Sequence, residues 1–464
     1  MTLLRYSKDP RTEQSLRHSV RDGVAYSFMA GAGETYFTAY ALLLKATTAQ
    51  ISWLAAFPSL LGSFGQLLSA WLASRTGHRK AIILLGVTLQ TLIWLPIIWL
   101  PYIFPARAVP ILILCVALYY AGDHLAAPAW KSLMGDLVPE RRRGRFFARR
   151  GRLMSIMTFA AVVAAGVVLH LGKTEANTRI AFSLVFSLAA LARVYSAVQL
   201  ARMHDPLPVP HPLDLPPLTG WWARLRSSDY ARFTLFMGAM NFAVAIASPF
   251  FAVFMLRDLH FTYLQYMSAL AFSVLLQFLT LRTWGRLGDI FGNRLVLLVT
   301  GCMIPMFPVL WLVSSQYWYI LTLQALGGVC WAGFTLSAGN YLFDVSAPQR
   351  RAVLSAVHNV LSSLTLFGGA LLGGFLSLMV PDQIALFGRV VTWTSSLWGL
   401  MLVSTLARTA VALGFLPRLR EVREVRRLTP AGLMLRVARF NVLTETVIDV
   451  LALTRRRLRS TGPA

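Results

Sequence analysis

Twelve stretches of about twenty mostly apolar residues recur along the chain, near 24–45, 51–73, 81–104, 110–131, 153–171, 180–201, 231–256, 263–283, 295–313, 317–343, 353–380 and 390–416. Wound as a helix rising about 1.5 Å per residue, each is long enough to cross a hydrocarbon layer about 30 Å thick. The pattern predicts a polytopic, all-α membrane protein. One set of connections is short and poor in charge, as at 47–50 and 314–316. The other set is polar and basic. The longest connection, ARMHDPLPVPHPLDLPPLTGWWARLRSSDY at 201–230, carries too much proline for a continuous helix and reads as a semi-rigid spacer. It divides the chain into a segment at 1–23, six spans over 24–201, a linker at 202–230, six more spans over 231–416 and a basic tail at 417–464. Trp221 and Trp222 beside Arg224 and Arg226 suggest a short piece at headgroup level.

Composition agrees. The 464 residues are 56% hydrophobic and only 14% charged, with a mean hydropathy of +0.59, where a soluble domain carries about a quarter charged residues. The net charge of +25 invites a nucleic-acid reading until it is placed on the topology. With both termini on one side, that side holds 36 of the 44 lysines and arginines. The positive-inside rule then puts both termini in the cytoplasm, and no nucleic acid is needed to explain the charge. No removable signal is expected at the N-terminus; the first span serves for insertion. Cys115, Cys302 and Cys330 fall within spans and read as packing residues. No phosphate-binding loop, metal motif or nucleophile motif stands out, so neither an enzyme, a cofactor, a metal nor an ATP-driven pump is expected. In the tail, residues 433–459 place apolar groups at three- and four-residue steps, which suits an amphipathic helix on anionic inner-leaflet lipid.

The two halves echo each other. AWLASRTGHRK (70–80) is answered by GRLGDIFGNR (285–294), and GDLVPERRRG (135–144) by FDVSAPQRRA (343–352), at offsets of 215 and about 208 residues. Two signals recurring in order at similar offsets indicate an internal duplication. At these residues the chain resembles the major facilitator superfamily, whose signature between spans two and three is Gly-x3-Asp-x2-Gly-x-Arg/Lys. The second copy matches at Gly285, Asp289, Gly292 and Arg294. The first keeps Gly77, Arg79 and Lys80 but has Ala70 for the leading glycine and Ser74 for the aspartate.

The resemblance covers about 20–416 and implies two pseudo-symmetric six-helix bundles, with spans one, four, seven and ten lining a central cleft. It also implies that the loops carrying Ser74, Gly77 and Arg79, and Gly285, Asp289, Gly292 and Arg294, latch one conformation; Ser74 lacks the charge, so the first latch should be the weaker. Span four, ALYYAGDHLAAPAWK, lacks the arginine of drug exporters, and span five, TFAAVVAAGVVLH, lacks their proline. LVPERRRGRFF and GGVCWAGFTLSAGNYLFD look like an uncharacterised bacterial branch of the same superfamily.

Two acids interrupt this apolar frame near mid-depth: Glu34 in AGAGETYFTAYALLLK, and Asp123 in span four. Each ionised carboxylate there costs roughly 2.5–3.5 kcal/mol on insertion scales, about 5–7 together. In the resembled fold both face the cleft, where a close pair of carboxyls can exchange a proton or bind a cationic group. Structural alternatives are a tie from Glu34 to Tyr36 or Tyr40, and from Asp123 to His124 or Lys131. His124, Asn241, Asn340 and Trp331 are further candidates for substrate or proton contact. Lys131 and Arg193 fall near span ends, where long side chains snorkel to water. His358 and Asn359 read as interhelical hydrogen-bond partners. Aromatics such as Tyr119, Tyr120 and Phe242 on lining spans favour an amphipathic solute. The expectation is a monomeric secondary transporter moving a small solute by alternating access, coupled to protons. The competing reading is a non-transporting relative that delivers a lipid or pigment, or serves as a sensor or assembly factor.

Overall fold

Caps and helix breakers set where each element starts and stops. The computed structural model describes residues 6–7, 9–139, 143–172, 174–205, 228–346, 351–379, 383–386, 389–392, 395, 397–422 and 425. The first half contains α1 (Pro10–Ala32), α2 (Phe37–Leu43), α3 (Thr48–Thr76), α4 (Arg79–Ile103), α5 (Ala108–Leu137), α6 (Arg143–His170) and α7 (Glu175–Ala201). The second contains α8 (Asp229–Ala245), α9 (Phe250–Val253), α10 (Tyr263–Phe291), α11 (Asn293–Met303), α12 (Met306–Leu310), α13 (Tyr317–Val345), α14 (Arg351–Met379) and α15 (Leu397–Phe415). Eleven helices or helix pairs among the described residues are long and apolar enough to span a membrane. Together with the pair α1 and α2, of which the first is polar and the second short, they make the twelve spans expected.

The duplication is written into the caps. Thr47 and Gln50 form a reciprocal capping box at the start of α3, and Thr262 and Gln265 form the same box at the start of α10, 215 residues later. The far ends of these helices stop at Gly77 and Gly292, which take φ of +67° and +91°. A side chain would be strained at both.

Several boundaries differ from the hydropathy reading; α6, for one, begins at Arg143 rather than near 153. The first span begins at Pro10 rather than near 24, because Asp9 caps it by accepting from the Arg11 and Thr12 amides. The last begins at Leu397 rather than near 390. Before it, β1 (Gln383–Leu386) and β2 (Arg389–Thr392) form an antiparallel hairpin with Gln383 opposite Thr392 and Leu386 opposite Arg389. Val390, Val391 and Thr392 of β2 are consecutive β-branched residues that continue the apolar run beginning near 390. The tryptophan pair at 221–222 and the amphipathic tail lie outside the described residues.

The halves meet where α3 packs along α14 and α6 along α10. At the end remote from the N-terminus one apolar cluster draws Tyr40, Phe182 and Phe186 from the first half and Phe250, Phe254 and Tyr266 from the second. Phe182 meets Tyr263 edge-on at 5.7 Å, and Arg257 reaches the Thr48 hydroxyl at 3.1 Å. At the end that carries the N-terminus each half keeps its own clusters, around Leu133 and Phe146 in one and Phe236 and Tyr341 in the other. None of those clusters spans both halves. Among the described residues, buried apolar packing thus joins the halves at one end, called sealed below, and stays within each half at the other, called divided.

Candidate functional site

The sequence GAGETYF cannot run as one helix. α1 ends at Gly33, a single 3₁₀ turn covers Glu34–Tyr36, and α2 resumes at Phe37. Such a mid-span turn is a recurrent mark of a functional hinge. Thr35 donates its hydroxyl to the Ala30 carbonyl at 3.1 Å, satisfying an acceptor near the break. Glu34 therefore projects from an interrupted helix. Its Oε1 accepts from the Tyr119 hydroxyl at 2.6 Å, across to α5, and the same hydroxyl lies 3.1 Å from Met29 Sδ. The Tyr36 and Tyr40 hydroxyls go elsewhere, to the Val162 and Ile97 carbonyls at 2.6 and 3.0 Å.

One turn along α5, Asp123 accepts from the Tyr26 hydroxyl of α1 at 3.3 Å, not from His124 or Lys131. So α1 and α5 are joined by two tyrosine–carboxyl bonds of opposite polarity. Glu34 and Asp123 are both partly buried. Neither forms an ion pair among the described residues, and each takes its hydrogen bond from a neutral phenol.

The polar face of α1 extends further. Ser15, His18, Ser19, Asp22 and Tyr26 recur every three or four residues and so share one face, which packs against α6 and α7. All but Tyr26 are fully buried. Asp22 accepts from the Ser196 hydroxyl at 2.7 Å and from Arg150 at 3.3 Å. Arg150 also donates to the Ser19 carbonyl at 3.0 Å and lies 4.5 Å over the Trp130 ring. His18 Nδ1 is 2.7 Å from Gln199 Oε1.

Arg193 corrects the sequence reading. It does not snorkel; it is 3% exposed. Its guanidinium donates to Ser196 Oγ at 2.8 Å and to Gln90 Oε1, and its carbon sits 5.3 Å from the Tyr26 ring centre. Gln90 of α4 and Ser196 of α7 hold it inside the bundle, which position along the span alone does not reveal. Lys131 is exposed, as expected.

The other candidates are dispersed. His124 bonds its own helix at the Tyr120 carbonyl, 2.9 Å away, with its ring against Gly62 of α3 rather than toward Asp123. Asn241, Asn340 and Trp331 are partly buried in the second half, and Trp331 packs edge-on against Phe334 at 5.6 Å. His358 is buried, parallel to Phe233 with ring centres 5.7 Å apart and 3.3 Å from the Thr234 hydroxyl, while Asn359 meets Gln66 across the seam at 3.4 Å. Two crevices of about 390 and 350 Å³ lie in the second half, one between α11, α12 and α15 and one between α8, α14 and α15. Both are lined almost wholly by apolar side chains and contain neither acid.

The loop residues form two matching clusters at the divided end. Arg79 pairs with Asp136 at 2.5 Å and Asp205 at 2.8 Å and reaches Ser132 at 3.0 Å. In the second half Asn293 donates to Asp344 at 2.8 Å, the Arg294 amide donates to Glu421 at 3.0 Å, and the Arg294 side chain bonds the Leu419 carbonyl. Each cluster ties the loop after its second span to the ends of its fourth and sixth. Ser74 instead bonds Trp71 within its own helix, at 2.8 Å. Gly285 borders Leu336, and Asp289 is exposed near the end of α10.

Sequence reasoning missed Asp22, Tyr26, Gln90, Arg150 and Ser196. The period of 15, 18, 22 and 26 is a usable signal, masked because the hydropathy pattern starts the first span near 24.

Residues 23–251 and 231–457 each match the profile of the family described as Major Facilitator Superfamily. No curated protein matches the sequence. Among solved structures, the nucleoside transporter NupG superposes with a TM-score of 0.64 at 14% identity, over 87% of this chain and 98% of that one. A D-xylose-proton symporter gives 0.64 at 11% identity, over 89% and 99%. A bacterial homologue of the human lysosomal transporter Spinster, inward-facing and unoccupied, gives 0.59 at 13% identity, over 89% and 96%.

Proposed function

The chain belongs to the major facilitator superfamily, and on that premise we propose that it is a secondary transporter moving a small solute across the cytoplasmic membrane by alternating access, coupled to protons through Glu34 and Asp123. One observation carries the coupling: two mid-span carboxyls are held by tyrosine hydroxyls alone, with no ion pair among the described residues. A carboxylate left without a cation at that depth is relieved most simply by taking a proton. Because the bonds join α1 to α5, gaining or losing that proton changes how the two helices are tied.

With both termini in the cytoplasm, the sealed end is external and the divided end opens inward. The Arg79 and Arg294 clusters then act as latches within each bundle. Tyr120, Phe242 and Trp331, all partly exposed on lining spans, suit an amphipathic solute.

The test is a solute library added to inverted vesicles loaded with a pH-sensitive dye. At least one solute should evoke proton flux in the wild type, and Glu34→Gln or Asp123→Asn should abolish it. If no solute moves protons in the wild type, the coupled reading fails.

A further inference from the structure

Arg193 is a buried cation whose hydrogen-bond partners among the described residues, Gln90 and Ser196, are both neutral, and its Nε has none there. Burying a guanidinium this way is unfavourable unless negative charge is close. Ser196 joins it to Asp22 of α1, Tyr26 of α1 joins it to Asp123 of α5, Glu34 of the following turn and Tyr119 of α5 lie within its field, and α4 contributes Gln90. His18 lies one turn beyond Asp22 and is engaged by Gln199.

Asp22 and Arg150 already neutralise each other. What remains is one positive charge, on Arg193, and two carboxyls, Glu34 and Asp123. Tyr26 connects them, its ring under the guanidinium and its hydroxyl on Asp123. The set is electrically neutral only when one of the two acids is protonated and the other is not.

We propose that Arg193 is a positioning residue that fixes the proton load of this site at one, by acting as the internal counter-charge for whichever of Glu34 and Asp123 is ionised. This rests on the proton-coupled reading above. It goes beyond it by assigning a stoichiometry and a residue on α7 that touches neither acid. Arg408, at the matching position of the second half, provides the control. It is equally buried, but its partners are Ser404 Oγ and the Ile304 and Val244 carbonyls.

The experiment is infrared spectroscopy of the purified full-length protein in lipid nanodiscs at neutral pH, reading the carbonyl band of protonated carboxyl groups, with hydrogen–deuterium exchange to confirm the assignment. Wild type should show one such band that disappears in the Glu34→Gln/Asp123→Asn double variant. Arg193→Gln should raise its area about twofold, because both acids then keep their protons. Arg193→Lys should restore the wild-type area, and Arg408→Gln should leave it unchanged. Asp22→Asn, which keeps Arg193 in place and leaves Arg150 unmatched, should lower it. Equal bands in wild type, Arg193→Gln and Asp22→Asn overturn the assignment, and the last variant decides the matter should the first not fold. A wild type with no band, or with one that survives the double variant, refutes the coupled reading itself.

Discussion

Gly33 sets where Glu34 points, and the cost of replacing it can be worked from the neighbouring atoms. A Cβ at this position would lie 2.3 Å from Trp94 Cη2 and 2.8 Å from the Met29 carbonyl oxygen. Ordinary carbon contacts need about 3.5–4.0 Å, so the indole would have to retreat by more than 1 Å. It cannot do so easily. Trp94 is fully buried, and its ring is held by Phe37 at 5.5 Å and by Tyr119 and Phe186 at 5.4 Å. Overpacking a well-filled site costs about 1–3 kcal/mol, and Gly33→Ala belongs at the upper end. Trp94→Phe removes the offending part of the indole and leaves a small void, for about 1–2 kcal/mol alone.

Combined, the two changes should not add. The alanine methyl fills space that the smaller ring vacates, so the double variant should lie about 2 kcal/mol above the additive sum. Rescue stays incomplete, because the approach to the Met29 carbonyl persists. Denaturation in mixed micelles, followed by helical circular dichroism, measures all four proteins. Strict additivity, or a Gly33→Ala protein as stable as wild type, would refute the close packing that places the 3₁₀ turn against α4.

Three smaller tests follow. Arg79→Ala leaves the largely buried Asp205 without this cation and should cost about 1–3 kcal/mol in the same assay, whereas Asp136→Asn, at a half-exposed carboxyl, should cost under about 0.5. The Asp9 carboxyl is held below its ordinary value, first by the Thr12 hydroxyl and then by the backbone amides it caps. A lowered pKa means the stabilisation is complete above the ordinary value near 4 and fades only as pH falls through the lowered one. Protection of the first α1 amides against hydrogen exchange, corrected for intrinsic rate, should therefore be flat from neutral pH to about 5, and Asp9→Ala should remove it. Arg257→Ala, which loses a bond to Thr48 on the exposed rim of the sealed end, should change stability by less than about 0.5 kcal/mol.

Most of the architecture was legible because a bilayer forces it. Spans must be helical and about twenty residues long, so apolar runs located all twelve, the first with a late start, and the proline-rich connection with the repeated loop sequences located the division into halves. The exceptions share one physical cause. α1 packs its polar face against α6 and α7 instead of showing it to water, so a hydropathy window sees a weak span starting late. Arg193 had the same problem. Its depth along the span suggested snorkelling, but the deciding facts were a glutamine on α4 and a serine one turn away on α7. Glu34 and Asp123 stood out as chemistry-bearing residues, yet their partners did not. Tyr26 and Tyr119 are tyrosines in a chain rich in them, and only the packing of α1 against α5 distinguishes these two.

The duplication itself gives a stronger argument about where chemistry can reside. Caps, turn glycines and loop arginines recur at 215 residues, and so do the two buried arginines, Arg193 and Arg408. The acids do not. At that offset Glu34 corresponds to Pro249, Asp22 to Met237 and Tyr26 to Asn241. The described acids of the second half, Asp229, Asp258, Asp289, Asp344 and Glu421, all sit at or near helix ends. Arg408 accordingly turns to main-chain carbonyls where helices break. Val244 lies just before the interruption between α8 and α9, and Ile304 between α11 and α12. The same buried charge thus meets two different demands. In the second half it binds carbonyls beside interrupted helices. In the first half it lies instead beside the described mid-span carboxyls of the chain, Asp22, Glu34 and Asp123.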